Sequence, residues 1–373
     1  MITFAGGTTA LIIAGTLCFI SPLLTALDTP AGIFGEAKTY LMIVAAGLVV
    51  TLIYNLEAGI LRAVGDSVIP LIILVISTIL NIALDLLLVC VFELGVAGAA
   101  IATVAAQLIS AIVCLVYLIK RRAFLVIKPS DFRFTVQSTM ELLSAGFGMA
   151  LMYSIVDIGS IVLQNGINGF GEDIIAAHTA ARKIFSLTIM PFSAVSATLV
   201  TYCSQNRGAG KYSRIPLGIR DGLLLMGAWA TLAVLVIYAA GGLLVGMIVP
   251  GEDTAVAGTA VLYLRWNVPF YYCLAVLLGL RSALQGLGKS LVPILASVIE
   301  LIWKVCTVVF MIPLFGGQSG TVGASLEEIG GYFGVVLSEP IIWTLCAVMI
   351  GTIALIALKN LPKDAENKQE VAT

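Results

Sequence analysis

The segment MALMYSIVDIGSIVLQNGIN places a single carboxylate, Asp157, inside an apolar run. Tyr153, Ser154, Ser160 and Gln164 accompany it at spacings that an α-helix of 3.6 residues per turn gathers into one polar stripe. An ionised carboxylate among apolar side chains is expensive, so an acid kept there marks a cavity, an ion path or a helix–helix contact. A carboxyl in such a place can take up and release a proton, or hold a small cation. The plainer alternative is a buried hydrogen bond between helices. The residues alone leave both open.

Other polar groups recur at helical spacing. Ser77, Asn81 and Asp85 stand four apart; an inter-helix polar clamp is their plainer role, a lining of a cavity the other. Glu300 and Lys304 form an i, i+4 pair that can neutralise itself, as a static ion pair or as part of a transport path. His178, Arg182 and Ser186 make a further stripe, with His178 expected at the outer, interfacial end of its helix. Zinc needs several His, Cys or carboxylate ligands at close spacing, and the chain has one histidine and seven scattered cysteines. These cysteines (18, 90, 114, 203, 273, 306 and 346) read as small apolar fillers. ALQGLGKS fails as a phosphate loop, because Ala283 stands where the first glycine is needed and the segment joins two apolar helices. An intramembrane aspartyl protease would need facing aspartates; Asp85 and Asp157 are the only pair on offer, and neither has a Gly-x-Gly-Asp context.

The elements that carry these residues follow from composition. Of 373 residues, 60% are hydrophobic and 11% charged, and the mean hydropathy is +1.08. A soluble domain carries about 25% charged residues, so lipid must be the solvent for most of this surface. The net charge of −1 offers no basic patch for nucleic acid. Ten stretches reach the length that spans a bilayer, roughly 4–25, 37–58, 69–91, 97–119, 139–165, 175–203, 221–248, 257–281, 290–313 and 334–358. Charges alternate in the linkers. Lys120, Arg121, Arg122, Lys128 and Arg133 follow the fourth span, and Arg207, Lys211, Arg214 and Arg220 the sixth, while Arg62, Arg281 and Lys289 flank two more even linkers. The odd linkers are acidic, with Lys38 the one basic exception: Asp28 and Glu36, Glu93, Glu172 and Asp173, Glu252 and Asp253, Glu327 and Glu328. Positive charge collects on the cytoplasmic side, so the even linkers and both chain ends are predicted there, in the plasma or inner membrane.

One turn is written twice. LRAVGDSVIP begins at Leu61 and LQGLGKSLVP at Leu284, both Leu-x-x-x-Gly-x-Ser-x-x-Pro before a long apolar run. Gly65 and Gly288 would permit the tight backbone, Ser67 and Ser290 would cap the next helix, and Pro70 and Pro293 fit its first turn. Six spans separate the copies, so the repeat is a six-helix unit in parallel orientation, an arrangement used by transporters. On that repeat the first unit would begin before Met1, and two of its helices are expected to lie outside the chain as given. The predicted organisation is residues 1–125 as an N-terminal lobe of four helices, 126–136 as a cytoplasmic linker, 137–358 as a C-terminal lobe of six helices and 359–373 as a polar tail.

GILRAVGDSVIP, the run ILNIALDLLLVCVFELGVAGAAIATVAAQLISAIVCLVYLIKR and the segment IAAHTAARKIFSLTIMPFSAVSATLVTYCSQNRGAGK resemble the multidrug and toxic compound extrusion (MATE) family. The resemblance runs from about residue 4 to 358. It implies two six-helix lobes in a V, with a central cavity opening alternately to each side. The implied activity is export of amphipathic, often cationic, compounds against an inward flow of H⁺ or Na⁺. The Asn-x-x-x-Asp of Asn81 and Asp85 is common in the family. Many members carry a coupling aspartate on the first helix of the first lobe, which this chain does not include. Some use a second acid before the second repeated turn, where PFYYCLAVLLGL has none. What remains is Asp157, close to a family position on the first helix of the second lobe.

The expectation is therefore an all-α polytopic membrane protein and not an enzyme. It is expected to be a cation-coupled antiporter, with Asp157 as the coupling acid. Tyr153, Ser154, Ser160, Gln164, Asn81, Asp85, Arg182, Glu300 and Lys304 are expected to line its cavity. No cofactor or metal is expected beyond transported H⁺ or Na⁺. The expected partners are a small-molecule substrate and the bilayer, with no obligatory protein partner. Alternatives are a lipid-linked oligosaccharide flippase, a non-transporting remnant and, more distantly, an intramembrane aspartyl protease. A flippase would gather more mid-membrane cations for pyrophosphate than Arg182, Lys183, Arg265 and Lys304.

Overall fold

The structure, a computed structural model, describes residues 13–22, 24–25, 31–121, 136–249, 254–362 and 364. Among them every regular element is a helix. They are α1 (Ile13–Pro22), α2 (Ala31–Ala63), α3 (Val68–Asp85, prolonged by a π-helical stretch Leu86–Val91) and α4 (Gly95–Arg121). Then come α5 (Val136–Asn168), α6 (Glu172–Gly208), α7 (Arg214–Gly246), α8 (Thr254–Asn267) and α9 (Tyr271–Gly286). The last are α10 (Leu291–Cys306, prolonged by the π-helical stretch Thr307–Met311), α11 (Ile312–Leu314), α12 (Leu326–Ile329) and α13 (Tyr332–Lys359). Among the described residues, nine helical stretches are long and apolar enough to cross a membrane, with α8–α9 and α10–α11 each counting as one. Ten were expected. Of the first expected span only parts are described, α1 among them, which is itself apolar.

The chain divides into two compact units, Met1–Leu142 and Leu143–Thr373, and the division falls inside α5. The expected inter-lobe linker at 126–136 lies outside the described residues, apart from the first residue of α5.

In the first unit, α2 and α4 approach closely at Gly47, where a side chain would strike Val104. The buried Gly98, Ala102 and Ala106 lie on another face of α4, turned to α3: Gly98 lies against the Leu88 backbone, and Ala106 O accepts from Ser77. Gly95 does not join that small-residue seam; it is exposed and starts α4 at a φ of +55°. Leu61, Ile73, Cys114 and Leu118 form a small core, with Tyr54, Ile69 and Tyr117 against it.

The second unit is built on one large core in which Tyr263, Tyr271, Tyr332 and Phe192 are wholly buried. Two prolines shape it. Pro269 breaks the span Thr254–Gly286 into α8 and α9 through the 3₁₀ turn Val268–Phe270. Pro340 sits inside α13 and has no N–H to give the Val336 carbonyl. The Asn267 side chain supplies the missing donor: its Nδ2 donates to Val336 O at 3.3 Å and to Tyr263 O at 2.8 Å. Each irregularity thus satisfies the other in a place where water cannot.

Both repeated turns have one geometry. Asp66 N donates to Leu61 O, and Lys289 N to Leu284 O, each at 2.9 Å. Gly65 and Gly288 hold φ of +86° and +75°. This is a helix C-terminus closed by a left-handed residue, and glycine bears that conformation without steric cost. The caps differ from expectation. Ser67 and Ser290 already have helical backbone angles and make no side-chain capping bond, because the turn runs straight into the next helix. Pro70 and Pro293 are buried in the first turn, as placed. The repeat reaches beyond the turn: Ala31–Ala63 recurs as Thr254–Gly286, and the starts at Val68 and Leu291 keep the same 223-residue offset.

At the polar rim of the second unit, Ser325 and Glu328 form a capping box on α12. The Ser325 hydroxyl and N–H hold the Glu328 carboxyl below the usual carboxylate range. After α13, Asp364 accepts from Ser213 N at 2.8 Å and from the Ser213 hydroxyl, which likewise lowers its proton affinity. The described part of the tail is thereby tied to the start of α7.

Candidate functional site

Asp157 lies at the middle of the span Gly146–Asn168, about 16 Å along the helix axis from either end. One face of α5 packs inward through Met152, Gly159, Leu163, Gly166 and Ile167. Gly159 and Gly166 let α10 approach: a side chain at Gly159 would meet Lys304 and Leu301, and one at Gly166 would meet Val308. Tyr153, Asp157, Ser160 and Gln164 flank that contact and are all exposed. At 100° per residue, Ser154 falls on the other side of Asp157, towards the exposed Ile158 and Ile161. The stripe therefore lies between the packed face and the apolar face.

Its members differ in what they touch. Ser160 Oγ donates to Val156 O at 3.0 Å and accepts from Lys304 Nζ at 3.2 Å. Lys304 Nζ also meets Glu300 Oε1 at 3.2 Å, so the predicted pair exists, and Lys304 is 3% exposed. Gln164 Nε2 donates to Asn168 Oδ1 at 2.9 Å. Arg281 donates through Nη2 to Ser297 Oγ at 3.0 Å, packs its Nε on Met152 Sδ, and lies within electrostatic reach of Glu300 and Tyr153. It was expected to flank a linker. Its guanidinium turns inward instead, because Ser297 and Glu300 of α10 offer it partners there. Asp157, like Tyr153 and Ser154, makes no side-chain hydrogen bond or ion pair among the described residues.

A second cluster lies on α6, α8 and α13. Arg182 Nη1 meets Glu339 Oε1 at 3.7 Å, the guanidinium sits 4.6 Å over the Phe185 ring, and it lies within electrostatic reach of the Tyr263 hydroxyl. The ring lends cation–π attraction to a charge held in apolar surroundings. His178 is 5% exposed and its Nδ1 pairs with the Tyr332 hydroxyl at 2.9 Å, with Tyr263 edge-on at 5.2 Å. His178 lies in the second turn of α6, near the helix end where it was placed, but it is buried inside the protein under Tyr332 at the start of α13. Glu339 escaped the sequence reading altogether. The signal was present, as an acid next to a proline inside the last apolar span.

In the first unit the polar triplet of α3 divides. Ser77 Oγ donates to Ala106 O at 3.3 Å and clamps α3 to α4. Asn81 Nδ2 and Asp85 Oδ1 are buried without a partner, so the clamp does not extend to them. The 223-residue offset sets Ser77 against Glu300 and Asn81 against Lys304. The two units therefore place polar side chains at the same helical register, each ahead of a π-helical stretch that loosens the backbone ladder. Glu57, buried in α2, is a second acid that the sequence reading passed over.

These features define a polytopic helical membrane protein with isolated charges inside its spans and an internal parallel repeat. The chain belongs to the MatE family, which it matches over residues 1–87 and 147–314. It is 26% identical over 269 residues to the probable multidrug resistance protein YpnP of Bacillus subtilis, covering 72% of this chain and 60% of that protein. It is 25% identical over 301 residues to the probable multidrug resistance protein NorM of Thermotoga maritima, covering 79% and 63%. The chain thus spans rather less than two thirds of the length of these relatives. Among solved structures, a MOP-superfamily transporter from Pyrococcus furiosus superposes with a TM-score of 0.85 at 19% identity, over 96% of this chain and 77% of that one. A MATE structure in the bent conformation gives 0.84 at 20% identity, over 100% and 78%.

Proposed function

We propose that this chain forms a cation-coupled antiporter, or most of one, that exports amphipathic or cationic small molecules by alternating access. Asp157 carries the reading. It is a carboxylate midway along a membrane span, turned away from its unit's packed interior and unbonded there. A structural acid would have a partner, since an unpaired charge at that depth costs about 3 kcal/mol. A coupling acid must instead stay available to H⁺ or Na⁺ and to the substrate in turn. Tyr153 and Gln164 on the same stripe supply an aromatic face and an amide for an amphipathic cation. Membership of the MatE family and likeness to two multidrug resistance proteins support export as the activity. The even linkers and both ends face the cytoplasm of a cell or inner membrane in this proposal.

Asp157→Asn tests it. Asn keeps the size and much of the hydrogen bonding but exchanges no proton. In inverted membrane vesicles from cells expressing the protein, the variant should lose substrate uptake driven by an imposed ion gradient, at unchanged protein level and with substrate binding retained. Gradient-driven uptake at the wild-type rate would place coupling elsewhere.

A further inference from the structure

Glu57 is 7% exposed, yet no cation is paired with it among the described residues. It lies on α2 against α4, beside Ala58, Leu61, Cys114 and Leu118, all buried. The Cys114 thiol of α4 lies within interaction range of its carboxyl as a potential donor, and Oε2 is buried with no partner at all. The titratable groups around it are few: Tyr54 and Arg62 on α2, Cys114 and Tyr117 on α4, and Asp66 in the turn. Two of these are engaged elsewhere, since the Tyr54 hydroxyl donates to Pro70 O at 3.2 Å and the Tyr117 hydroxyl to Asp66 Oδ2 at 3.1 Å. A thiol is a weak donor, and one such bond cannot satisfy a carboxylate's four lone-pair sites.

The internal repeat shows that the fold does not need an acid here. The position of Glu57 recurs in the second unit as Leu280, on the same helix and equally ahead of the repeated turn, and that leucine is buried at 8% exposure. Leu61 and Leu284, one turn on, are alike in burial. The first unit therefore holds a carboxyl where the shared scaffold is content with a hydrocarbon.

We propose that Glu57 is a proton-binding site of the first unit. The carboxyl is neutral while α2 and α4 are packed as described. Its proton leaves towards the face that carries the repeated turn, about 9 Å away along α2, and the resulting carboxylate loosens the α2–α4 contact at Cys114. Proton binding at Glu57 stands without the antiporter reading; a part for it in coupling, as a site separate from Asp157, rests on that reading.

The test uses the purified full protein and no transport. Infrared difference spectra between about pH 5 and about pH 8 should show the carbonyl band of a protonated carboxylic acid that Glu57→Gln removes and Asp157→Asn leaves in place. A band unchanged in Glu57→Gln would overturn the proposal. Alkylation by N-ethylmaleimide, located by mass spectrometry, gives a second readout. Over the same pH range labelling of Cys114 should rise more steeply than that of the buried Cys203 and Cys346, because the loosened α2–α4 contact admits the reagent and this outweighs the pull of the new carboxylate against the thiolate. Glu57→Gln should abolish the excess. Should that variant fail to accumulate, Glu57→Leu, the residue of the second unit, takes its place in both measurements. Equal rises at all three cysteines in the wild type, or an excess that survives either substitution, would refute a proton site at Glu57. Because neither readout involves export, failure here leaves the Asp157 proposal standing, and failure of Asp157 leaves this one.

Discussion

Lys304 shows what a single buried charge demands. Its ammonium is held by Glu300 and Ser160 together, and its stem passes close over Gly159. Two charges taken from water repay their desolvation only while both remain. Lys304→Met should therefore cost about 3 kcal/mol by stranding Glu300. Combining it with Glu300→Leu should recover most of that loss. Thermal unfolding of the detergent-purified protein measures both. A double variant as unstable as the single one would mean that the pair is more than self-neutralising. Asp157, one turn from Ser160 on the same stripe, is the contrast: it has no such partner to strand.

The repeated turn is the element whose chemistry is clearest. Gly65 and Gly288 share a positive φ and the same hydrogen bonds, but not the same surroundings. A side chain at Gly65 would enter open space, whereas one at Gly288 would strike the Arg207 guanidinium. Gly65→Ala should thus cost only the backbone term, about 1–2 kcal/mol. Gly288→Ala should cost that and the displacement of Arg207, so its melting temperature should fall further. Equal losses would show that Arg207 yields freely. The neighbouring irregularities belong to the same scale. Pro340 and the Pro269 break are tolerable because Asn267 spans them, and a helix of uninterrupted ladder would have no use for that amide.

At the scale of the whole molecule the charges of the linkers set the orientation. Lys211 lies in the short turn between α6 and α7, on the basic side, and Asp173 in the first turn of α6, on the acidic side. In a background with the native cysteines replaced, Asp173→Cys should react with an impermeant thiol reagent in intact cells. Lys211→Cys should react only after permeabilisation. The reverse pattern would invert the topology and put Glu57 near the outer face.

The helices were legible because lipid imposes a simple rule: every backbone group must bond within its own segment, and every long apolar run must be a helix. Composition, the alternation of linker charge and the twice-written turn therefore carried the class, the spans and the internal repeat. Asp157 was legible too, since an acid alone in an apolar helix stands out by sequence position. What the sequence could not state is which polar groups meet. Lys304 with Ser160, Arg182 with Glu339, His178 with Tyr332 and Asn267 with Val336 join residues 69 to 157 positions apart. Helical periodicity orders side chains only around their own axis. Which face meets which neighbour depends on close approaches such as those at Gly47 and Gly159, and on where prolines bend the spans. Those are properties of packing in three dimensions. They alone separate a satisfied charge such as Lys304 from the unbonded carboxylate of Asp157.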